Sequence, residues 1–242
     1  MIKTYDNHVI LGAGGAIAHA LVPELLRQNQ NVTLISRSGT TAPGTQSARA
    51  DATNYEELLS VVPENSVVYL LVGLKYSASV WQKTWPALMD NVIRVCSEKN
   101  SLLVFFDNVY MYGPVNGPMT EETPHNPTSK KGAVRARIAD ALMEAYSSDR
   151  LNGLIARSAD FYGPGAVNTP FHDMVFGKLK EGKKALWLCN AELRHSMTFT
   201  PDAARAVALL GNTPEAYGEV WHLPTDKNAM TGREMIGRIA DY

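Results

Sequence analysis

The feature that most constrains this chain is a short apolar run, His8-Val9-Ile10-Leu11, that passes straight into Gly12-Ala13-Gly14-Gly15. Residues apolar at helical spacing follow, with Ile17, Leu21, Leu25 and Leu26 suited to one buried face. A strand that turns on glycines into a helix is the setting in which such a motif carries weight. Residues without bulk at the turn let main-chain N–H groups and the helix N-terminus approach a pyrophosphate. The spacing is Gly-x-x-Gly-x-x-Ala, and Ala18 at the third position still permits close packing of helix on strand. Gly12, Gly15, Ala16 and Ile17 are therefore candidate dinucleotide-binding residues. A purely structural glycine turn is the alternative, and the position after a first strand favours binding.

Strand and helix signals then alternate. Asn31 to Ile35 reads as a second strand, a weaker third ends at Ala50-Asp51, and Tyr55 to Val62 is helical in pattern. Ser66 to Val72 and Leu102 to Phe106 are continuous apolar runs, as expected of strands covered on both faces. Two long helical stretches, Ser77–Asn100 and Thr128–Tyr146, separate them from one another and from the strand-like Leu151–Ala156. This rhythm predicts an α/β fold, a doubly wound parallel sheet of Rossmann type with helices on both faces. Pro23 inside the first helix predicts a kink or a late start.

Beyond about residue 165 the pattern changes to Pro- and Gly-punctuated loops with short helices at 170–181 and 201–210 and a short strand at 219–223. The expected organisation is a dinucleotide-binding domain over 1–165, with some later strands returning to its sheet, and a small substrate lobe over 166–242. Thr231 and Glu234 form a capping-box signature for a last helix. The end at Tyr242 reads as either a trimmed chain or a compact lobe.

Which dinucleotide is expected depends on the end of the second strand. An Asp or Glu there would bond the adenosine ribose and repel a 2′-phosphate. Ser36-Arg37-Ser38 stands there instead, and a guanidinium flanked by hydroxyls suits a phosphate dianion. NADP is thus favoured, with NAD as the other option; Asp51-Ala52 is placed to meet the adenine. Lys and Arg number 23 against 24 Asp and Glu, so a net charge of −1 gives no general attraction to nucleic acid or an anionic membrane. No apolar run approaches the roughly 20 residues that span a bilayer, and no secretory leader is evident. Cys96 and Cys189 are too few for a disulfide framework or zinc site, and the six histidines show no paired ligand spacing. A cytoplasmic protein acting on a small molecule is expected.

Several segments together resemble the extended short-chain dehydrogenase/reductases, the NAD-dependent epimerase/dehydratase family. They are Gly12-x-x-Gly15, Asp51-Ala52, Asp90-Asn91-Val92, Asp107-Asn108-Val109-Tyr110-Met111-Tyr112-Gly113-Pro114, Arg157-Ser158-Ala159-Asp160-Phe161-Tyr162-Gly163-Pro164-Gly165 and Met197 to Ala204. The resemblance covers nearly the whole chain. It implies that Val72, Gly73 and Asn91 join the cofactor site, that Asp160 meets substrate, and that the two long helices form a homodimer interface.

That family's chemistry rests on Tyr-x-x-x-Lys, and no tyrosine here is followed by lysine four places on. The family's active-site Ser or Thr is Asn108, and a substrate-contacting Asn is Asp160, whose charge disfavours a diphosphate. Tyr110 is the candidate for a relocated phenolic acid, with Asn108 orienting the substrate oxygen and Lys131 gripping the nicotinamide ribose and supporting a phenolate. For each the plainer role is a pocket-lining or solvated residue. His172 and His195 fall in the expected substrate lobe. The functional expectation is an NAD(P)-dependent oxidoreductase or epimerase/dehydratase-like enzyme transferring hydride to or from a small oxygenated substrate. The alternative is a non-catalytic NADP(H)-binding sensor that kept the site and lost the chemistry.

Overall fold

A computed structural model describes residues 5–167, 169–188 and 190–241. Cys189 and Tyr242 lie outside these residues. Nine strands and seven α-helices follow one another along the described residues as β1 (Asn7–Leu11), α1 (Ala16–Arg27), β2 (Asn31–Ser36), β3 (Gln46–Arg49), α2 (Tyr55–Val61), β4 (Ser66–Leu70), α3 (Ala78–Glu98), β5 (Leu102–Asp107), α4 (Lys130–Ser147), β6 (Asn152–Arg157), β7 (Asp160–Tyr162), α5 (Gly177–Lys180), β8 (Met197–Phe199), α6 (Thr200–Gly211), β9 (Val220–His222) and α7 (Gly232–Ala240). A single π-helical turn over His172–Phe176 leads into α5. Seven strands form one sheet in the order β3-β2-β1-β4-β5-β6-β9, every neighbouring pair parallel, while β7 and β8 pair separately. The order reverses direction between β1 and β4, which opens a crevice beyond the strand C-termini.

Alternation along the buried strands explains the two cores. On β5, Leu103 and Phe105 face α2, α3 and α4 together with Val68, Leu70 and Ile155. Leu102 and Val104 face the opposite way, toward α1 and α6 with Ile10, Tyr69 and Leu154. Both faces of each central strand are apolar because both are covered by helices.

The helix at α1 begins at Ala16 and continues through Pro23, so the expected late start does not occur. Pro23 lies on the exposed side, where the loss of one main-chain donor is tolerated. Pro86 is likewise carried inside α3. The capping box at α7 is formed, with Thr231 accepting from Glu234 N–H and the Glu234 side chain accepting from Thr231 N–H. After residue 165 the chain divides: α6 packs on α1 and β9 extends the sheet beside β6, while β8 pairs with β7 and the π turn leads into α5. No helix among the described residues is long and apolar enough to cross a membrane.

His8 is wholly buried at the start of β1, with Nδ1 3.0 Å from the Tyr69 hydroxyl. Burial lowers its pKa from 6.5 to about 4. A base whose folded pKa lies below its unfolded value binds fewer protons when folded, so stability is complete above pH 6.5 and falls as pH drops toward 4. The expected loss across that window is at most about 3 kcal/mol. Urea midpoints measured from pH 7 to 4 should show this slope, and His8→Gln should flatten it; equal slopes in both proteins would refute the assignment.

Candidate active site

The crevice at the strand C-termini is a cleft of about 1200 Å³ that runs from the glycine turn to the end of β5 and on to β7 and the π turn. At its floor, Gly12 N–H donates to the Ile35 carbonyl at 3.1 Å, and Leu71 N–H donates to the Leu11 carbonyl at 2.9 Å. Gly12 has φ +95°, and a Cβ on it would lie 2.8 Å from the main chain of Leu71 and Val72. Only glycine fits where β1 turns across the end of β4. Gly15 precedes α1 without any side-chain cap, and the first turn of α1 carries no acidic residue. The positive end of the helix therefore faces the cleft free of internal neutralisation. A bulk-free turn and an uncapped helix start fit a dinucleotide pyrophosphate.

Gly12, Gly15, Ala16, Ile17, Ser36, Arg37, Ser38, Asp51, Ala52, Val72 and Gly73 all line this cleft. At the end of β2 the Ser36 hydroxyl donates to Thr40 Oγ1 at 3.1 Å and accepts Thr40 N–H at 2.9 Å, and Ser38 Oγ lies 3.3 Å from Ser36 Oγ. Arg37 is exposed beside this hydroxyl cluster. Asp51 is held below the usual carboxylate range, chiefly by the Thr53 N–H, with the Thr53 hydroxyl and the Arg37 charge adding to it.

Asn91 does not line the cleft. It is buried on α3, and its Nδ2 donates to the Ala52 carbonyl at 3.2 Å, so it fixes the main chain beneath the expected adenine position. Its periodic place on the inner face of α3 dictates this burial.

At the other end, Asn108 and Tyr110 both line the cleft just past β5. Asn108 Oδ1 accepts the Tyr110 N–H at 3.0 Å, an Asx turn that leaves the Asn108 amide NH₂ as its free side-chain end. The Tyr110 ring stacks on Trp81, with centroids 6.3 Å apart and planes 16° apart. Its hydroxyl lies 3.4 Å from the Tyr76 hydroxyl. Burial first, then the Tyr76 bond and the Asp160 charge, pushes the Tyr110 phenol well above its ordinary value. Lys131 is not at Tyr110: its Nζ lies over the Tyr76 ring, 2.9 Å from the centroid, as the first turn of α4 directs it. Gly132 allows that turn to approach, since a Cβ there would sit 2.5 Å from the Tyr110 carbonyl.

Asp160 is exposed on β7, and its Oδ2 lies 2.9 Å from His195 Nε2. Asp173, also in the cleft wall, has Oδ1 3.5 Å from His172 Nδ1. The two histidines thus attend carboxylates at the substrate end.

Sequence reading missed the charge cluster under this site. Asp107, the last residue of β5, is buried with Arg135 of α4 and Arg157 of β6. Arg135 Nε donates to Asp107 Oδ1 at 2.6 Å, and Arg157 Nε lies 3.6 Å from Oδ2. Arg157 also donates to the Tyr112 hydroxyl at 2.6 Å, and that hydroxyl lies 2.6 Å from His222 Nε2. Burial holds His222 below its ordinary pKa, which matches a neutral ring accepting the Tyr112 proton. Glu121 accepts the His222 N–H at 2.8 Å and ties its loop to β9. The available signal was an ionised residue at the end of each of two apolar strands.

The fold and this cleft define a doubly wound dinucleotide-binding protein. The chain belongs to the NAD dependent epimerase/dehydratase family, whose model matches residues 8–223. Among solved structures, dTDP-glucose 4,6-dehydratase DesIV of Streptomyces venezuelae, solved as a double mutant with NAD bound, is 18% identical with a TM-score of 0.85, over 97% of this chain and 80% of that one. The dTDP-glucose 4,6-dehydratase of Bacillus anthracis in complex with NAD is 20% identical with a TM-score of 0.84, over 97% and 80%. The UDP-glucose 4-epimerase of Thermus thermophilus complexed with NAD is 18% identical with a TM-score of 0.81, over 97% and 82%. No curated protein matches the chain.

Removing the Asp107 carboxylate would leave two buried guanidinium groups without their anion. Asp107→Ala should therefore cost about 3–5 kcal/mol in urea denaturation. A loss below 1 kcal/mol, on the order of a surface substitution, would show that the cluster is not a structural anchor.

Proposed function

We propose that the protein is an NAD(P)-dependent oxidoreductase or epimerase/dehydratase-like enzyme, with NADP preferred, that transfers hydride to or from a small oxygenated substrate. The observation that carries the reading is continuity: one cleft joins the Gly12 turn to Asn108 and Tyr110 without an intervening wall. The bound dinucleotide would supply or accept a hydride at its nicotinamide ring. Gly12, Gly15 and the start of α1 would hold its pyrophosphate, and Ala52 and Val72-Gly73 would border its adenine and nicotinamide halves.

Tyr110 would move the proton at the substrate oxygen, and the free amide of Asn108 would orient that oxygen. A phenol whose burial favours the neutral form suits proton donation to a developing alkoxide. Asp160 and Asp173 put two carboxylates at the substrate end of the cleft, which favours an uncharged or amine-bearing polyol or ketone over a nucleoside diphosphate. The hydroxyls of Ser36, Ser38 and Thr40 beside Arg37 support the NADP preference, although the solved relatives above were solved with NAD. Cytoplasmic residence and a homodimer through the outer faces of α3 and α4 belong to the same proposal.

Calorimetric titration of the protein with NADPH and NADH tests the reading. NADPH should bind, and Arg37→Ala should weaken NADPH by about tenfold or more while leaving NADH nearly unchanged, as loss of a charge-assisted phosphate contact requires. Equal weakening of both would remove the NADP preference. Failure of both nucleotides to bind the unaltered protein would remove the function.

A further inference from the structure

We propose that Tyr76 and Lys131 form a proton-supply arm for Tyr110, a second phenol and an ammonium brought together from the segment after β4 and the first turn of α4. The inference rests on the reading above, in which Tyr110 serves the substrate oxygen. Three observations carry it. The two phenol oxygens lie 3.4 Å apart, within hydrogen-bond reach of each other, so a proton can pass between them. Bonds of this kind are commonly long before substrate arrives. The two phenols also differ in access, since Tyr110 is packed against Trp81 inside the cleft whereas Tyr76 is 59% exposed at its rim. Finally, the Lys131 ammonium rests on the Tyr76 ring at 2.9 Å from the centroid and 5.8 Å from the Trp81 ring. Among the described residues no carboxylate lies within ion-pair distance of Lys131, so its charge is spent on this aromatic corner.

The step closes in protons and electrons. A bound reduced nicotinamide dinucleotide would supply a hydride, with its electron pair, to the carbonyl carbon, which leaves the carbon–oxygen π pair on oxygen. That oxygen takes the Tyr110 proton, Tyr110 takes the Tyr76 proton, and the negative charge comes to rest on Tyr76, beside Lys131 and solvent. A water proton restores Tyr76, and the reverse sequence serves alcohol oxidation. The charged groups facing Tyr110 are Asp160, which opposes a negative charge on it, and Arg135, which favours one; Arg135 is already committed to Asp107. Passing the charge outward to Tyr76 brings it beside the Lys131 ammonium. The phenol–ammonium pairing missing from one helix is in this way assembled from two elements.

Tyr76 and Lys131 are tested in the protein without dinucleotide, by nitration with tetranitromethane, a reagent selective for phenolate, followed by peptide mapping. Tyr76 should react ahead of Tyr162, which is 39% exposed. Lys131→Met should slow Tyr76 nitration by about tenfold while leaving Tyr162 unchanged, and Lys131→Arg should restore most of the rate. A Tyr76 rate indifferent to Lys131→Met overturns the proposal. The link to Tyr110 is read by 13Cζ-tyrosine NMR: Tyr76→Phe should move the Tyr110 resonance and leave those of Tyr69 and Tyr146 in place. An unmoved Tyr110 resonance also overturns it. Neither measurement uses a nucleotide, so a failure here is distinct from the failure of NADPH to bind.

Discussion

The cleft depends on a buried anion that holds two cations. Asp107 ends β5, and through it α4, β6 and the 108–114 segment share one fixed origin. Its Oδ1 accepts the Asn108 N–H at 2.7 Å as well as Arg135, so the same carboxylate that neutralises the guanidinium also starts the turn carrying Asn108 and Tyr110. Arg135 in turn lies over the faces of Trp85 and Phe105, at 4.6 and 4.8 Å from the ring centroids. An ion cluster this deep costs desolvation and is not a stability device in itself. What it provides is position: α4 cannot slide along the sheet without stranding a charge, and the first turn of α4 therefore meets Tyr76 and Tyr110 at one place.

Much of the fold was legible because it follows from period and punctuation. The apolar run at β4 is fully buried, and that at β5 all but Phe106, as strands covered on both faces must be, and the glycine turn after β1 adopts a positive φ that only glycine carries without strain there. The residues expected at the nucleotide end line one cleft for the same reason, since they sit within a few positions of strand ends. Asn91 was misplaced because a motif says which residues occur and not which face of the helix they occupy; its neighbours Val92 and Met89 bury that face, and Asn91 goes with them. Tyr76 was invisible because it lies in an irregular segment and acquires meaning only through Lys131, 55 positions away in sequence. Arg135 was read as part of a helical composition, yet its partner is on a different element.

The charges along the cleft are graded, and the grading has consequences for how a ligand lies in it. The end of the cleft at the glycine turn offers Arg37, hydroxyls and the positive end of α1. The far end offers Asp160 and Asp173, each with a histidine beside it. Between them, Arg135 lines the wall with its charge already balanced by Asp107. An elongated ligand with its phosphates at one end is oriented by this field before any close contact forms. The same field works against a second polyanion at the substrate end, because it would meet two carboxylates and no uncommitted guanidinium there.

A site of this kind separates two tasks that a single Tyr-x-x-x-Lys helix would combine. In the proposed reaction, packing of Tyr110 against Trp81 would keep its phenol protonated, and the same burial makes a lasting negative charge on it costly. An acid that is hard to ionise is useful only if the charge it acquires can leave promptly. The exposed rim, where Tyr76 meets water and Lys131, is the direction in which that cost falls. The proposed relay would thus join a half-buried phenol to an exposed one, with the Asp107 anchor fixing α4 and the 108–114 segment against each other.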